Sequence, residues 1–167
     1  MSKKRAIFQE VSDSEKPIAS NSVGIIEKNS NEKIKNTIQL WLKTLFFLIV
    51  LIILVGGLTR LTDSGLSITE WKPITGALPP FSAESWAAEF NKYKQIPEYK
   101  LQNDGMSLSE FKFIYWWEWG HRQLGRVIGL VWFFGFISLL SFGKIQKPWR
   151  LRLLLIGILI GVQATVG

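Results

Sequence analysis

Residues 118–129 read Glu-Trp-Gly-His-Arg-Gln-Leu-Gly-Arg-Val-Ile-Gly and place one acid, the chain's only histidine and two arginines beside an apolar run. Ionisable groups at membrane depth are costly, and those that persist usually carry function. At 3.6 residues per turn, Glu118, His121, Gly125 and Gly129 fall near one helix face. Glycines one and two turns beyond His121 clear a flat strip, against which a planar macrocycle ligated by the imidazole would meet no side chains. Imidazole is an ordinary axial ligand of haem iron, and helix bundles commonly present it from facing helices. Arg122 and Arg126 lie one turn apart on the adjacent face, spaced to hold anionic groups such as haem propionates. Haem ligation by His121, with iron as the metal, is the sharpest chemistry these residues suggest.

Plainer readings fit the same residues. His121 could be an interfacial histidine that only makes hydrogen bonds. Arg122 and Arg126 could contact lipid phosphates, and Glu118 could pair with Arg122 at i+4, a role compatible with a functional one. One histidine cannot supply both axial positions of a bis-histidine haem, so a second ligand must come from elsewhere. With no cysteine in the sequence, neither a disulfide framework nor a thiolate metal site is available.

The elements that must position these residues are membrane helices. The apolar residues of this 167-residue chain concentrate in residues 45–58, 129–143 and 153–167 instead of spreading periodically. Extended back through Leu40, the first run reaches the ~20 residues that span a ~30 Å hydrocarbon core. The expected fold is an all-α membrane protein: three transmembrane helices of an incomplete four-helix bundle, with a long external loop containing short helices. The helices are expected at about residues 37–58, 115–142 and 151–167, the loop at 59–114, and a disordered cytoplasmic tail at 1–36. That tail is polar, charged and without apolar periodicity.

Charge sets the orientation. The first 43 residues hold eight basic and five acidic residues, residues 144–152 hold four basic and none acidic, and residues 59–118 hold six basic and eight acidic. A Lys/Arg excess marks the cytoplasmic side, which places the N-terminus and residues 144–152 inside and the long loop outside. The formal charge of +7 therefore points to anionic membrane lipids as partners, and not to nucleic acid. The first apolar run lies too deep for a cleavable leader, and the acidic residues before it argue against a mitochondrial transit peptide. A bacterial inner membrane is the expected home.

A structureless loop of this length is unusual, so residues 59–114 are expected to be partly folded. Ser82 reads as a cap for an amphipathic helix carrying Trp86, Phe90 and Tyr93 on one face. A second helix is expected from Leu108 into the membrane. Gly56 and Gly57, at the outer end of the first membrane helix, permit close approach by a neighbour or ligand. Gly157 and Gly161 form a small-xxx-small pattern that allows close helix packing. The chain stops at Gly167 inside an apolar run, which predicts that a longer protein continues beyond it.

Several motifs in fixed order then resemble the haem A synthase family. They are Gly56-Gly57-Leu58-Thr59-Arg60-Leu61-Thr62-Asp63-Ser64-Gly65-Leu66-Ser67, Glu70-Trp71-Lys72-Pro73, Pro79-Pro80, Pro97-Glu98-Tyr99, Asn103-Asp104-Gly105-Met106, Glu110-Phe111-Lys112 and Glu118-Trp119-Gly120-His121-Arg122. The resemblance covers about residues 45–167. It implies eight membrane helices in two similar four-helix bundles, and oxidation of the methyl group of haem O to the formyl group of haem A for terminal oxidases. It implies a resident haem b, with haem O as substrate. His121 matches the histidine of a Glu-x-x-His-Arg motif, and Glu118 matches its acid, to which catalytic help at the haem methyl falls. The partner histidine and both histidines of the second bundle would lie beyond Gly167, so these residues alone are expected to be inactive. The loop cysteine pair of some family members is absent, and with it any thiol-based step. Further partners implied are haem O synthase, an electron donor and a second copy of the protein. Two other classes remain beside this reading: a b-type cytochrome subunit passing electrons with quinone, and an oxidase assembly factor without haem.

Overall fold

The computed structural model describes residues 19–72 and 74–166, with side chains from residue 31 onward. Among the described residues the regular elements are helices: α1 (Ala19–Leu61), α2 (Ala83–Tyr93), α3 (Pro97–Gln102), α4 (Leu108–Ser141) and α5 (Lys147–Val166), with a short 3-10 turn at Thr75–Ala77. Three segments among the described residues are long and apolar enough to cross a membrane: Asn31–Leu61, Leu108–Ser141 and Lys147–Val166. The chain is thus an all-α, multi-pass membrane protein.

The tail expected at residues 1–36 falls partly outside the described residues, which begin at Ala19. Residues 19–36 differ from that expectation and are helical. Extending a helix is far easier than nucleating one, and no proline stands between Ala19 and Leu61 to stop α1 growing back from its apolar run. The chain divides into two units, 1–41 and 42–167, and everything that follows concerns the second.

The helix expected from Leu108 and the membrane helix expected at 115–142 form one continuous element, α4. Its start is fixed by Ser107, whose hydroxyl accepts from the Glu110 amide while the Glu110 side chain accepts from the Ser107 amide. This reciprocal cap satisfies two otherwise orphaned donors. Its end is fixed by Gly143, at φ +63°. The Gly143 amide bonds the carbonyl of Leu140, and the Lys144 amide that of Leu139. A left-handed residue is required at this helix stop, and glycine adopts it without a Cβ penalty.

Outside the membrane helices, α2, α3 and the first turns of α4 share an aromatic core of Trp86, Phe90, Tyr93, Phe111, Ile114 and Tyr115. Phe90 stacks on Phe111 at 4.9 Å, and Trp86 meets Tyr115 edge-on at 4.9 Å. The Tyr93 hydroxyl accepts from Asn103 Nδ2 at 2.8 Å. Ser82 caps α2 as its sequence suggests, and the three aromatic residues expected on one face are the ones buried. Each such ring contributes roughly 1.5–3 kcal/mol by leaving water, so the loop holds its shape without covalent staples.

Deeper in the membrane, α4 meets α5 where the Trp132 indole lies against Gly157. Trp132 stacks on Phe136 at 5.2 Å and donates from Nε1 to the Leu153 carbonyl at 3.2 Å. A Cβ on Gly157 would overlap the indole, whereas one on Gly161 would meet nothing within 4 Å. Only the first glycine of the small-xxx-small pair is therefore used at this contact.

Candidate functional site

The outer end of α1 leads directly into the site. The Thr59 hydroxyl turns back to the Gly56 carbonyl at 2.8 Å. The amide and hydroxyl of Ser64 both donate to the Thr59 carbonyl, at 2.9 and 3.0 Å. Asp63 takes φ +50°, which a short polar side chain tolerates better than most. Ser64 and Ser67 are both buried, although serine is usually a surface residue. Their burial is stable because each hydroxyl is bonded, and the turn delivers Ser67 and Ile68 to α4.

Glu118 receives them. Its Oε2 accepts from the Ser67 hydroxyl at 2.7 Å and from the Ile68 amide at 2.7 Å. Its Oε1 accepts from Arg122 Nε at 3.0 Å and Nη2 at 2.6 Å. Only 4% of Glu118 is exposed, a burial that a carboxylate tolerates when paired and fully hydrogen-bonded. The i,i+4 ion pair weighed from the sequence is present, and it is part of a larger knot.

The two arginines face the loop. Arg122 Nη2 also donates to the Ile68 carbonyl at 2.8 Å, and Nη1 to the Glu70 carbonyl at 3.1 Å. Arg126 Nη2 donates to the Lys72 carbonyl at 3.0 Å, and Gln123 Nε2 to the Ala77 carbonyl at 2.8 Å. Four successive polar residues of one helix stripe (118, 122, 123, 126) therefore fasten residues 67–77 along α4. Beyond the stripe, Glu70 pairs with Lys72 and Lys92, and Lys92 with Glu89 at 2.9 Å. Hydrogen bonds from Lys72 and Lys92 lower the Glu70 pKa below its ordinary value, and those to Glu89 and Glu70 raise that of Lys92.

His121 points the other way, into the crossing with α1. A Cβ on Gly56 would lie 3.0 Å from its Nε2, and a Cβ on Gly125 would lie 3.7 Å from Ile52 Cδ1. His121 and Gly125 thus share the face turned to α1, while Gly129 and Gly57 have open space around their Cα atoms. The structure separates the predicted residues: His121 and Gly125 face the helix crossing, Gly129 has open space beside it, and Glu118, Arg122 and Arg126 hold the loop. Ser67, Ile68 and Gln123 were not foreseen as partners. Their signal in the sequence is faint: two serines in a turn-rich stretch about 50 positions from Glu118.

Among the described residues no three His, Cys, Asp or Glu side chains gather to hold a bare metal ion. A single imidazole on a glycine-lined helix face suits the axial side of an iron porphyrin better, since the macrocycle supplies the remaining equatorial donors.

A family model described as cytochrome oxidase assembly protein matches residues 39–167. A protein named heme A synthase from Dinoroseobacter shibae is 58% identical over 167 residues, covering all of this chain and 44% of its own length. One of the same name from Ruegeria pomeroyi is 58% identical over 167 residues, with all of this chain and 43% of its own length covered. The heme A synthase of Paracoccus denitrificans is 50% identical over 164 residues, covering 98% of this chain and 43% of its own. The chain thus spans less than half the length of these relatives. No solved structure matches it.

Proposed function

The chain belongs to the cytochrome oxidase assembly protein family, and from that premise we propose that it is part of a haem A synthase, an oxidoreductase that converts the methyl group of haem O to the formyl group of haem A for terminal oxidases. The observation that carries the proposal is His121, set on a membrane helix where glycines of both helices, Gly56 and Gly125, make room at the crossing.

His121 would hold haem iron, and Gly125 and Gly129 add no side chains of their own to its helix face, where Ile52 of α1 packs against Gly125. A bound haem b supplies the redox chemistry that side chains cannot perform on an unactivated methyl group, and haem O is the substrate. Glu118 stands one turn from His121 and is the candidate acid for stabilising positive charge that develops on the substrate. Its pairing with Arg122 weakens that field, so its first effect is to hold the loop beside the site. Arg122 and Arg126 act in the same way, with propionate contact as a second service of the same guanidinium groups.

The charge pattern supports a bacterial inner membrane, with the N-terminus cytoplasmic and residues 59–114 periplasmic. The reaction requires an electron donor and a supplier of haem O, for which haem O synthase is the proposed partner.

The test is pigment analysis of the full-length protein, produced in cells that make haem O. Extracted haem should contain haem A, and His121→Ala should abolish it and diminish the Soret band of the purified protein. Undiminished haem A from His121→Ala would overturn the proposal. A Soret band with protohaem alone, and no haem A, would favour an electron-transfer cytochrome.

A further inference from the structure

The contact between Gly56 and His121 bears on how a metal reaches the imidazole. A Cβ on Gly56 would lie 3.0 Å from Nε2, 3.5 Å from Cδ2 and 3.8 Å from Cε1, over the ring at its coordinating end. An iron bonded to Nε2 at ~2 Å would stand only about 2.5 Å from that point, inside the ~3.5 Å at which non-bonded atoms meet. The Gly56 Cα is one bond behind it. A macrocycle around the iron and the backbone of α1 would therefore claim the same space. Ile52 adds to the obstruction, since its Cδ1 lies against Gly125 one turn further along the same face.

From this overlap we infer that α1 is a strap across His121, hinged at its outer end, which parts from α4 to admit a porphyrin to Nε2. The crossing is lightly held. Phe46, Phe47, Ile53 and Leu54 are each at least 61% exposed, and no residue of α1 between Leu45 and Thr59 is buried. The α4–α5 contact differs, because there the Trp132 indole fills the space beside Gly157. The outer end of α1 is fixed. Its Thr59 carbonyl holds Ser64, while Ser67 and Ile68 bond Glu118, one turn outward of His121. Opening must then widen toward the inner end, with the turn at residues 62–66 as the hinge. A few loop residues that absorb backbone rotation are the usual form of such hinges. The bonds from Glu118, Arg122 and Gln123 to the loop stay intact throughout, because those side chains point away from the crossing.

The inference rests on His121 as the iron ligand, and its test separates the two. Zinc protoporphyrin is diamagnetic and takes one axial imidazole, so it replaces haem while spin-label distances are read by double electron–electron resonance. Full-length protein without other cysteines, in phosphatidylcholine nanodiscs, carries one nitroxide pair at a time. Phe47→Cys with Leu130→Cys reports the inner end, and Leu61→Cys with Phe113→Cys the outer end. All four side chains are exposed, so labelling leaves packing intact; Phe46→Cys with Phe134→Cys, also exposed, repeats the inner measurement. Porphyrin should lengthen the inner distances by roughly 4 Å or more, the depth of one further layer of contact, and leave the outer distance unchanged. His121→Ala should abolish the lengthening. Unchanged inner distances, with porphyrin binding that His121→Ala removes, would mean that the imidazole turns outward to the metal; the strap would be overturned and the ligand retained. Equal lengthening at both ends would overturn the hinge and the strap with it. Porphyrin binding indifferent to His121→Ala would overturn the ligand reading and the strap together.

Discussion

Replacing Glu118 with glutamine separates its two roles. All four groups bonded to the carboxylate are donors: the Ser67 hydroxyl, the Ile68 amide, and Nε and Nη2 of Arg122. A carboxamide offers one acceptor oxygen and one NH2, so either orientation turns a donor toward donors. If the NH2 faces the loop, the Ile68 amide is orphaned at about 1–3 kcal/mol. If it faces Arg122, a partly buried charge loses its partner, for which full burial would cost about 3–5 kcal/mol. The Arg122 side chain is 28% exposed, so water recovers part of that loss. Either way the loop anchor weakens by about 3 kcal/mol, which at ~1.4 kcal/mol per decade raises the open population roughly a hundredfold. The Ile68 amide is the reporter, because its bond to Glu118 must break before it exchanges. Hydrogen exchange of the full-length protein in nanodiscs should show peptides containing Ile68 exchanging roughly a hundredfold faster in Glu118→Gln, with Phe90 and Tyr93 in α2 unchanged. Ser67→Ala removes one donor and should give only a severalfold increase. Wild-type exchange at Ile68 in Glu118→Gln would refute the anchor. Combined with loss of haem A formation, that result would assign Glu118 to the chemistry alone.

Three further outcomes follow from the geometry. Gly157→Ala should destabilise the packing of α5 on α4 by about 1–3 kcal/mol through overlap with Trp132, seen as earlier thermal unfolding in detergent; Gly161→Ala should leave the unfolding temperature unchanged. Gly56→Ala brings a methyl group to 3.0 Å from His121 Nε2, and should shift the Soret maximum or weaken haem retention, whereas Gly57→Ala should do neither. The Glu70 pKa is lowered by Lys72 and Lys92 from its ordinary 4.5. Its ion pairs therefore stabilise the loop above pH 4.5 and are lost as pH falls through the lower folded value. Acid titration followed by exchange of the α2 amides should show loosening only below pH 4.5, and Glu70→Gln should remove that dependence.

The membrane helices were legible because a long apolar run has few alternatives in water, and the amphipathic face of α2 was legible because 3.6-residue periodicity is local. The Glu118–Arg122 pair was also local, one turn apart on a single helix. What escaped was every contact between distant segments. Ser67 lies 51 residues from Glu118, and no periodic signal links a turn serine to a helix carboxylate. The same blindness bore on the arginines. A guanidinium at membrane depth needs acceptors, and sequence alone cannot distinguish haem propionates from backbone carbonyls that fold back to the same place. Residues 67–77 supply those carbonyls, so Arg122 and Arg126 have a reason to sit at this depth before any haem binds. The turn in return gains bonds from α4 that its own backbone does not supply. The loop and the arginines each make the other tolerable there. Loss of haem on changing either arginine would therefore not by itself show propionate contact: exchange at Ile68 must stay slow in the same variant before the loss can be ascribed to the haem.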